Sequence, residues 1–214
     1  MWQVLRGCLG DGGDITETPM THLTIVYHSG YGHTALVAEA IRDGAMSVED
    51  TEVALIEAAE AESQLDRFDA TDGIVFGAPT YMGSASAPMK SFIDATSKPW
   101  FELKWKDKIA GGFTNSGNLS GDKQGTLIQF VVLAAQHGMI WVPPAAMPES
   151  MTKDDVATGD RQSINRLGAY VGVMAQSENA EPGPDNPPKG DIATAKAYGV
   201  RLAKAAKRWG QGTL

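Results

Sequence analysis

Short runs of β-branched and aromatic residues alternate along the chain with longer stretches in which apolar residues return every three or four positions. Residues 22–28 (HLTIVYH) have the composition of a strand and run into a glycine-containing turn. Val37, Ala40, Ile41, Ala45 and Val48 then recur at helical spacing, leaving Glu39, Arg42 and Asp43 on the opposite side. Further strands are predicted at 52–57 and 72–77 (DGIVFG), joined by an acidic connection with a short turn of helix. Met89, Phe92, Ile93 and Ala95 mark a helix, 108–114 a fourth strand, Leu127, Ile128, Val131, Val132 and Ala135 a one-sided helix, and 139–142 a fifth strand. Residues 143–188 turn to Pro, Gly, Asn and polar side chains and read as irregular. Ile192, Ala195, Tyr198, Leu202, Ala206 and Trp209 then share one face of a closing helix over 191–209. Its basic side chains, Lys196, Arg201, Lys204, Lys207 and Arg208, read as a solvated face. Strands alternating with helices predict a doubly wound α/β fold: a five-stranded parallel sheet in the order 2-1-3-4-5, covered by helices on both faces. In such a sheet a ligand sits beyond the carboxyl ends of the strands, so chemistry is expected in the loops after the first, third and fourth.

Residues 1–20 follow neither period and contain Gly10, Gly12, Gly13 and Pro19. They are expected to be a flexible extension before a single domain at 21–210. The string Leu5-Arg6-Gly7-Cys8 lacks the preceding apolar run of a signal peptide, and Met20, just before the first strand, is an alternative start. With 43% apolar residues, 214 residues suffice for one substantial core. One cysteine excludes an internal disulfide and a thiolate-built zinc site. Lys+Arg 18 against Asp+Glu 26 gives −8, a balance that repels a nucleic-acid backbone. No run approaches the length of a membrane span, so a cytoplasmic protein without membrane insertion is expected.

Ser29-Gly30-Tyr31-Gly32-His33-Thr34 leads straight into the first helix, where backbone N–H groups and the helix dipole favour an anion. The hydroxyls of Ser29 and Thr34 suit a terminal phosphate; the plainer alternative is that Ser29 only caps the helix. A rival reading takes Gly30 to Ala35 as G-x-G-x-x-G/A, with Glu57 in the place of a ribose-binding acid, but no Tyr-x-x-x-Lys pair accompanies it. After the third strand comes Gly77-Ala78-Pro79-Thr80-Tyr81-Met82-Gly83-Ser84, and after the fourth Thr114-Asn115-Ser116-Gly117-Asn118-Leu119-Ser120-Gly121. Soft or flat side chains and many backbone donors are what a planar heterocycle with polar edges requires.

Y-x-S-x-Y-G-H from Tyr27 to His33, G-x-P-T-x-x-G from Gly77 to Gly83, the Gly/Ser-rich third loop and H-G-M from His137 to Met139 together resemble the WrbA-type flavodoxin-like NAD(P)H:quinone oxidoreductases. The likeness runs from about Leu23 to Val142; the first motif is inexact, with Gly30 before Tyr31 and Thr34 after His33. It implies a flavodoxin-like fold, bound FMN, NADH or NADPH as donor, a quinone-like acceptor and a homodimer or homotetramer. By that resemblance Ser29, Tyr31, Gly32, His33 and Thr34 hold the FMN phosphate. Pro79, Thr80, Tyr81, Met82 and Gly83 line the isoalloxazine, and Thr114, Asn115, Ser116, Gly117, Asn118 and Leu119 give N–H groups to its pyrimidine edge. His137 matches a flavin-site histidine that can belong to a neighbouring subunit, and Trp100 an aromatic residue that stacks, with Tyr31, on the acceptor. Helix-terminal roles for His33 and His137, and a sheet-covering role for Trp100, are the alternatives. Asn165, Arg166, Leu167, Gly168 and Tyr170 are left open between an acceptor pocket and a subunit interface. A flavodoxin-type electron carrier is the competing function.

Overall fold

The computed structural model describes residues 19–210. The expected N-terminal extension, apart from Pro19 and Met20, lies outside them. In chain order come β1 (Thr21–Tyr27), α1 (His33–Met46), β2 (Thr51–Glu57), α2 (Ala58–Ala61), β3 (Gly73–Tyr81), β4 (Ser84–Ala85), α3 (Ala87–Ala95), α4 (Ser97–Phe101), β5 (Ile109–Ser116), α5 (Lys123–Gln136), β6 (Ile140–Trp141), β7 (Val173–Gln176) and α6 (Lys189–Gly210). The sheet runs β2-β1-β3-β5-β6, with β7 also paired to β5, and all of these pairs are parallel. This is the predicted 2-1-3-4-5 order, in which β5 is the fourth strand and the fifth lane is shared.

That shared lane differs from the sequence reading. β6 pairs only with Ile109 and Ala110 at the start of β5, while β7 pairs with Phe113 to Ser116 at its end. Between them the chain makes an excursion over residues 143–172 and returns to the lane it left. The irregular composition of 143–188 hides the strand inside it, although Val173 and Ala175 face inward at alternating positions.

β3 is also longer than its apolar core, because it runs through Pro79 to Tyr81 and turns back antiparallel into β4. Pro79 is tolerated because the last pair with β1 is Tyr27 with Gly77, so no β1 acceptor faces the N–H it lacks.

Apolar side chains fill both faces of the sheet. On one, Val37, Ile41 and Ala45 of α1 meet Ala195, Tyr198 and Leu202 of α6 over Ile25 and Phe113. On the other, Met89 and Phe92 of α3 and Leu127, Phe130 and Leu133 of α5 cover Val26, Ile74 and Phe76. The Tyr198 hydroxyl donates to Val142 O at 2.6 Å and accepts the Gly112 N–H at 3.2 Å, which ties α6 to β5 and to the chain leaving β6. Among the described residues no helix is long and apolar enough to cross a membrane.

Candidate functional site

A cleft of about 590 Å³ opens at the carboxyl ends of β1, β3, β5 and β7. That size is within the range of small-molecule sites. A larger concavity of about 690 Å³ lies between β6 and α6, lined by Val142, Pro143, Val200, Arg201, Lys204 and Trp209. It touches none of the three loops singled out in the sequence. The strand-end cleft is therefore the chemically equipped one.

Its first wall is the β1–α1 loop, from which Gly30, Tyr31, His33 and Thr34 line the cleft. The Ser29 hydroxyl accepts the Ala35 N–H at 3.1 Å, which leaves its own proton free to donate. The N–H groups of Gly32, His33 and Thr34 have no protein acceptor among the described residues, as expected at the opening of a helix. Gly30 lies so close to Tyr81 that a Cβ there would meet the phenol oxygen at 2.5 Å. Gly32 has φ +89°, and a Cβ there would press on Pro182 at 2.9 Å. Gly32 therefore needs glycine for its backbone, whereas a side chain at Gly30 would have to displace the Tyr81 phenol.

His33 is positioned differently from the expectation. Its Nε2 lies 2.9 Å from Ala180 O and 3.1 Å from Asn186 Nδ2, both beyond β7. The ring packs the segment after β7 against the first loop, so this nitrogen is engaged by protein groups and not free for an anion.

The second wall is the end of β3, where Pro79, Thr80 and Tyr81 line the cleft. Thr80 is committed inward. The Thr114 hydroxyl donates to Ala78 O at 2.7 Å, so the 2.8 Å contact between Thr80 and Thr114 has Thr80 as donor, and the 2.7 Å contact with Thr126 has Thr126 as donor. These hydroxyls lock β3 to β5 and α5, and Thr114 itself is fully enclosed. Burial, and after it the neighbouring Tyr31, push the Tyr81 phenol up, so it is neutral at physiological pH. Met82 and Gly83 form the β3–β4 turn beyond the lining, with Met82 fully exposed at φ 49°.

Asn115, Ser116 and Gly117 supply the third wall, and Asn118 and Leu119 continue past it with Leu119 exposed. The fourth wall, Ser177 to Pro182, was missed in the sequence because β7 was missed. The Ser177 hydroxyl donates to Asn115 Oδ1 at 2.9 Å, and the Glu178 carboxylate pairs with Arg161 at 2.8 Å. The signal for this wall was the alternating Val171-Gly172-Val173-Met174-Ala175 followed by polar residues.

Two expected site residues are not in the cleft of their own chain. His137, 1% exposed, caps the far end of α5 and stacks on Trp105 with ring centroids 4.3 Å apart. Enclosed in this way, it does not face the cleft of its own chain. Trp100 lies on α4, beyond the end of α3 and near Lys104, whose ammonium pairs with Asp69 just before β3. That is the opposite pole of the sheet from the cleft, and Trp100 is half exposed there. The rival dinucleotide reading fails similarly. Glu57 is outside the cleft lining, and its carboxyl is held above the usual range by burial while accepting from Tyr27. Asn165 and Arg166 are buried supports of the excursion, and Tyr170 is exposed.

A family model described as NADPH-dependent FMN reductase matches residues 30–152, which span the first loop, the β3 wall, the β5 wall and α5. The chain belongs to this family. FMN is the cofactor that this membership assigns to it. Similar curated proteins include the flavodoxin FldP of Pseudomonas aeruginosa, 44% identical over 88% of this chain and 98% of that protein. An NAD(P)H dehydrogenase (quinone) of Archaeoglobus fulgidus is 28% identical over 88% of this chain and 99% of its own length. A solved flavodoxin, WrbA-like protein from Agrobacterium tumefaciens superposes with a TM-score of 0.64 at 40% identity, covering 88% of this chain and 98% of that one. The residues present fit FMN: unpaired N–H groups for a phosphate, a glycine-cleared approach beside Tyr81, and a third wall rich in free backbone donors.

Proposed function

We propose that this protein is an FMN-dependent oxidoreductase that passes two electrons from NADH or NADPH to a quinone-like acceptor. The observation that carries this reading is the open cleft in which three unpaired helix-opening N–H groups and the Ser29 hydroxyl stand next to the exposed faces of Tyr31 and Tyr81. The first loop holds the phosphate with Gly32, His33 and Thr34 N–H groups, while the His33 side chain keeps residue 180 in place. Pro79, Thr80 and Tyr81 contribute backbone and ring surface at the flavin's flank, and residues 115–119 meet its polar edge. FMN held there supplies the two-electron relay between nicotinamide and acceptor. Tyr31, 76% exposed, offers a flat face on which a nicotinamide or quinone ring stacks.

The reading includes a homodimer or homotetramer. Trp100, remote from its own cleft, contributes to an acceptor site only in another copy.

A flavodoxin-type electron carrier is the second reading, favoured by the printed name of the Pseudomonas relative. Anaerobic titration of the FMN-loaded protein with NADH and NADPH separates the two. Rapid bleaching of the flavin absorbance, reversed by benzoquinone, is the oxidoreductase result, whereas a bound flavin that neither nucleotide bleaches is the carrier result. Thr34→Leu, which places a bulky apolar group in the phosphate loop, should weaken FMN binding at least tenfold, about 1.4 kcal/mol.

A further inference from the structure

Lys123, the first residue of α5, has no exposed surface. Buried lysines are rare unless something specific requires them. Its Nζ donates to Asn118 O at 2.5 Å and Leu119 O at 3.1 Å, and reaches Ser120 O at 3.5 Å. Two neighbouring carbonyls are tied by other groups: Ser116 O accepts the Ser177 N–H at 3.1 Å, and Gly117 O accepts from Gln176 Nε2 at 2.9 Å. Five consecutive carbonyls, 116 to 120, are thus drawn away from the cleft. The N–H groups of Gly117, Asn118 and Leu119 have no protein acceptor among the described residues.

The second layer is also charged. Arg166, from the excursion between β6 and β7, pairs with Asp191 of α6 through Nε at 2.8 Å and a second nitrogen at 2.9 Å, and both side chains are buried. Asp191 also accepts the Gln176 N–H at 2.9 Å, and Arg166 donates to Gln176 Oε1 at 3.1 Å. Gln176 therefore joins this ion pair to the Gly117 carbonyl.

We propose that Lys123 is a positioning residue for the flavin: its buried ammonium, backed by the Arg166–Asp191–Gln176 network, holds the 116–120 carbonyls inward so that the loop presents a row of N–H donors to the electron-rich edge of the cofactor. The inference rests on the FMN reading and extends it. An oriented set of N–H dipoles with a cation behind it favours negative charge in front of it. The loop therefore binds the reduced, more electron-rich cofactor better than the oxidised one. Burial lowers the Lys123 pKa to about 8, opposed by Asp191 and reinforced by Arg166, the two charged groups that face it. The ammonium is mostly charged at pH 7 and is lost across the next two pH units.

Two measurements on the full chain test this. In the wild-type protein freed of FMN, amide hydrogen exchange of Ser177 and Lys123, whose N–H groups bond the Ser116 and Ser120 carbonyls, corrected for the intrinsic pH dependence, should lose at least tenfold in protection between pH 7 and 9.5, with β1 amides as the unchanged control. Protection that stays flat overturns the proposal. In Lys123→Met, FMN affinity should fall at least tenfold, reduced FMN should lose more than oxidised FMN, and Lys123→Arg should recover part of both. Unchanged affinity for both forms overturns the proposal while leaving the FMN reading intact. A wild-type protein that binds no FMN removes the FMN reading and the flavin role with it. If Lys123→Met does not fold, the wild-type exchange series decides.

Discussion

His137 shows how one side chain can satisfy a motif and serve another purpose. Thr96 spends its hydroxyl proton on Ile93 O at 2.7 Å, so it can only accept from His137 Nε2, 3.0 Å away. That fixes the neutral ring with its proton on Nε2, and Nδ1 is left buried with no partner. Burial lowers its pKa to about 4, below the ordinary value of 6.5. Between those values the unfolded chain binds a proton that the folded chain refuses, so stability falls as pH drops from about 6.5 to about 4. The loss approaches about 3 kcal/mol at the acid end. Denaturant titrations across that range should show this slope in the wild type and a flatter one in His137→Phe, which still stacks on Trp105. In sequence, H-G-M after an amphipathic helix pointed to a flavin contact because a motif records residue order and not depth. His33 has the same lesson at the other pole. Its place in the loop was legible, but its partner, Ala180, follows a strand that composition concealed.

At the scale of elements, periodicity carried most of the fold. α1, β2, α3, α5 and α6 stand where apolar spacing put them, because the face each buries is written in its own local pattern. β3 and β7 were less legible. β3 gains its last residues from pairing with β5 and β4, partners that no local pattern announces. β7 has only four residues, and its neighbours are Pro-, Gly- and Asn-rich. The first and third walls of the cleft could therefore be read in advance, and the fourth could not. The excursion between β6 and β7 is held by Arg166 and Asp191, and removing one partner of a buried pair strands the other charge. Arg166→Met should cost about 3–5 kcal/mol in chemical unfolding. Arg166→Met combined with Asp191→Leu should cost less than the sum of the two single changes, because the double change leaves no orphaned charge on either side.

For the whole molecule, the two poles of the sheet carry different surfaces. The cleft occupies one, and at the other Trp100, Phe101 and Leu103 are exposed together, Phe101 at 82%. The proposed homo-oligomer would cover such a surface, which is an unusual one for a free monomer. Light scattering should give a dimer or tetramer mass for the wild type and a smaller particle for Phe101→Glu; a monomer in both cases would reject the assembly. The divided fifth lane bears on a different hazard. It forms one border of the sheet, where a long unbroken strand would be a template for another chain to add itself and begin an aggregate. Here that border is a two-residue piece followed by Pro143 and Pro144, then a four-residue piece fixed from behind by an ion pair. Neither piece is long enough to recruit a stranger, so the same detour that builds the fourth wall of the cleft also keeps the sheet from growing at this border.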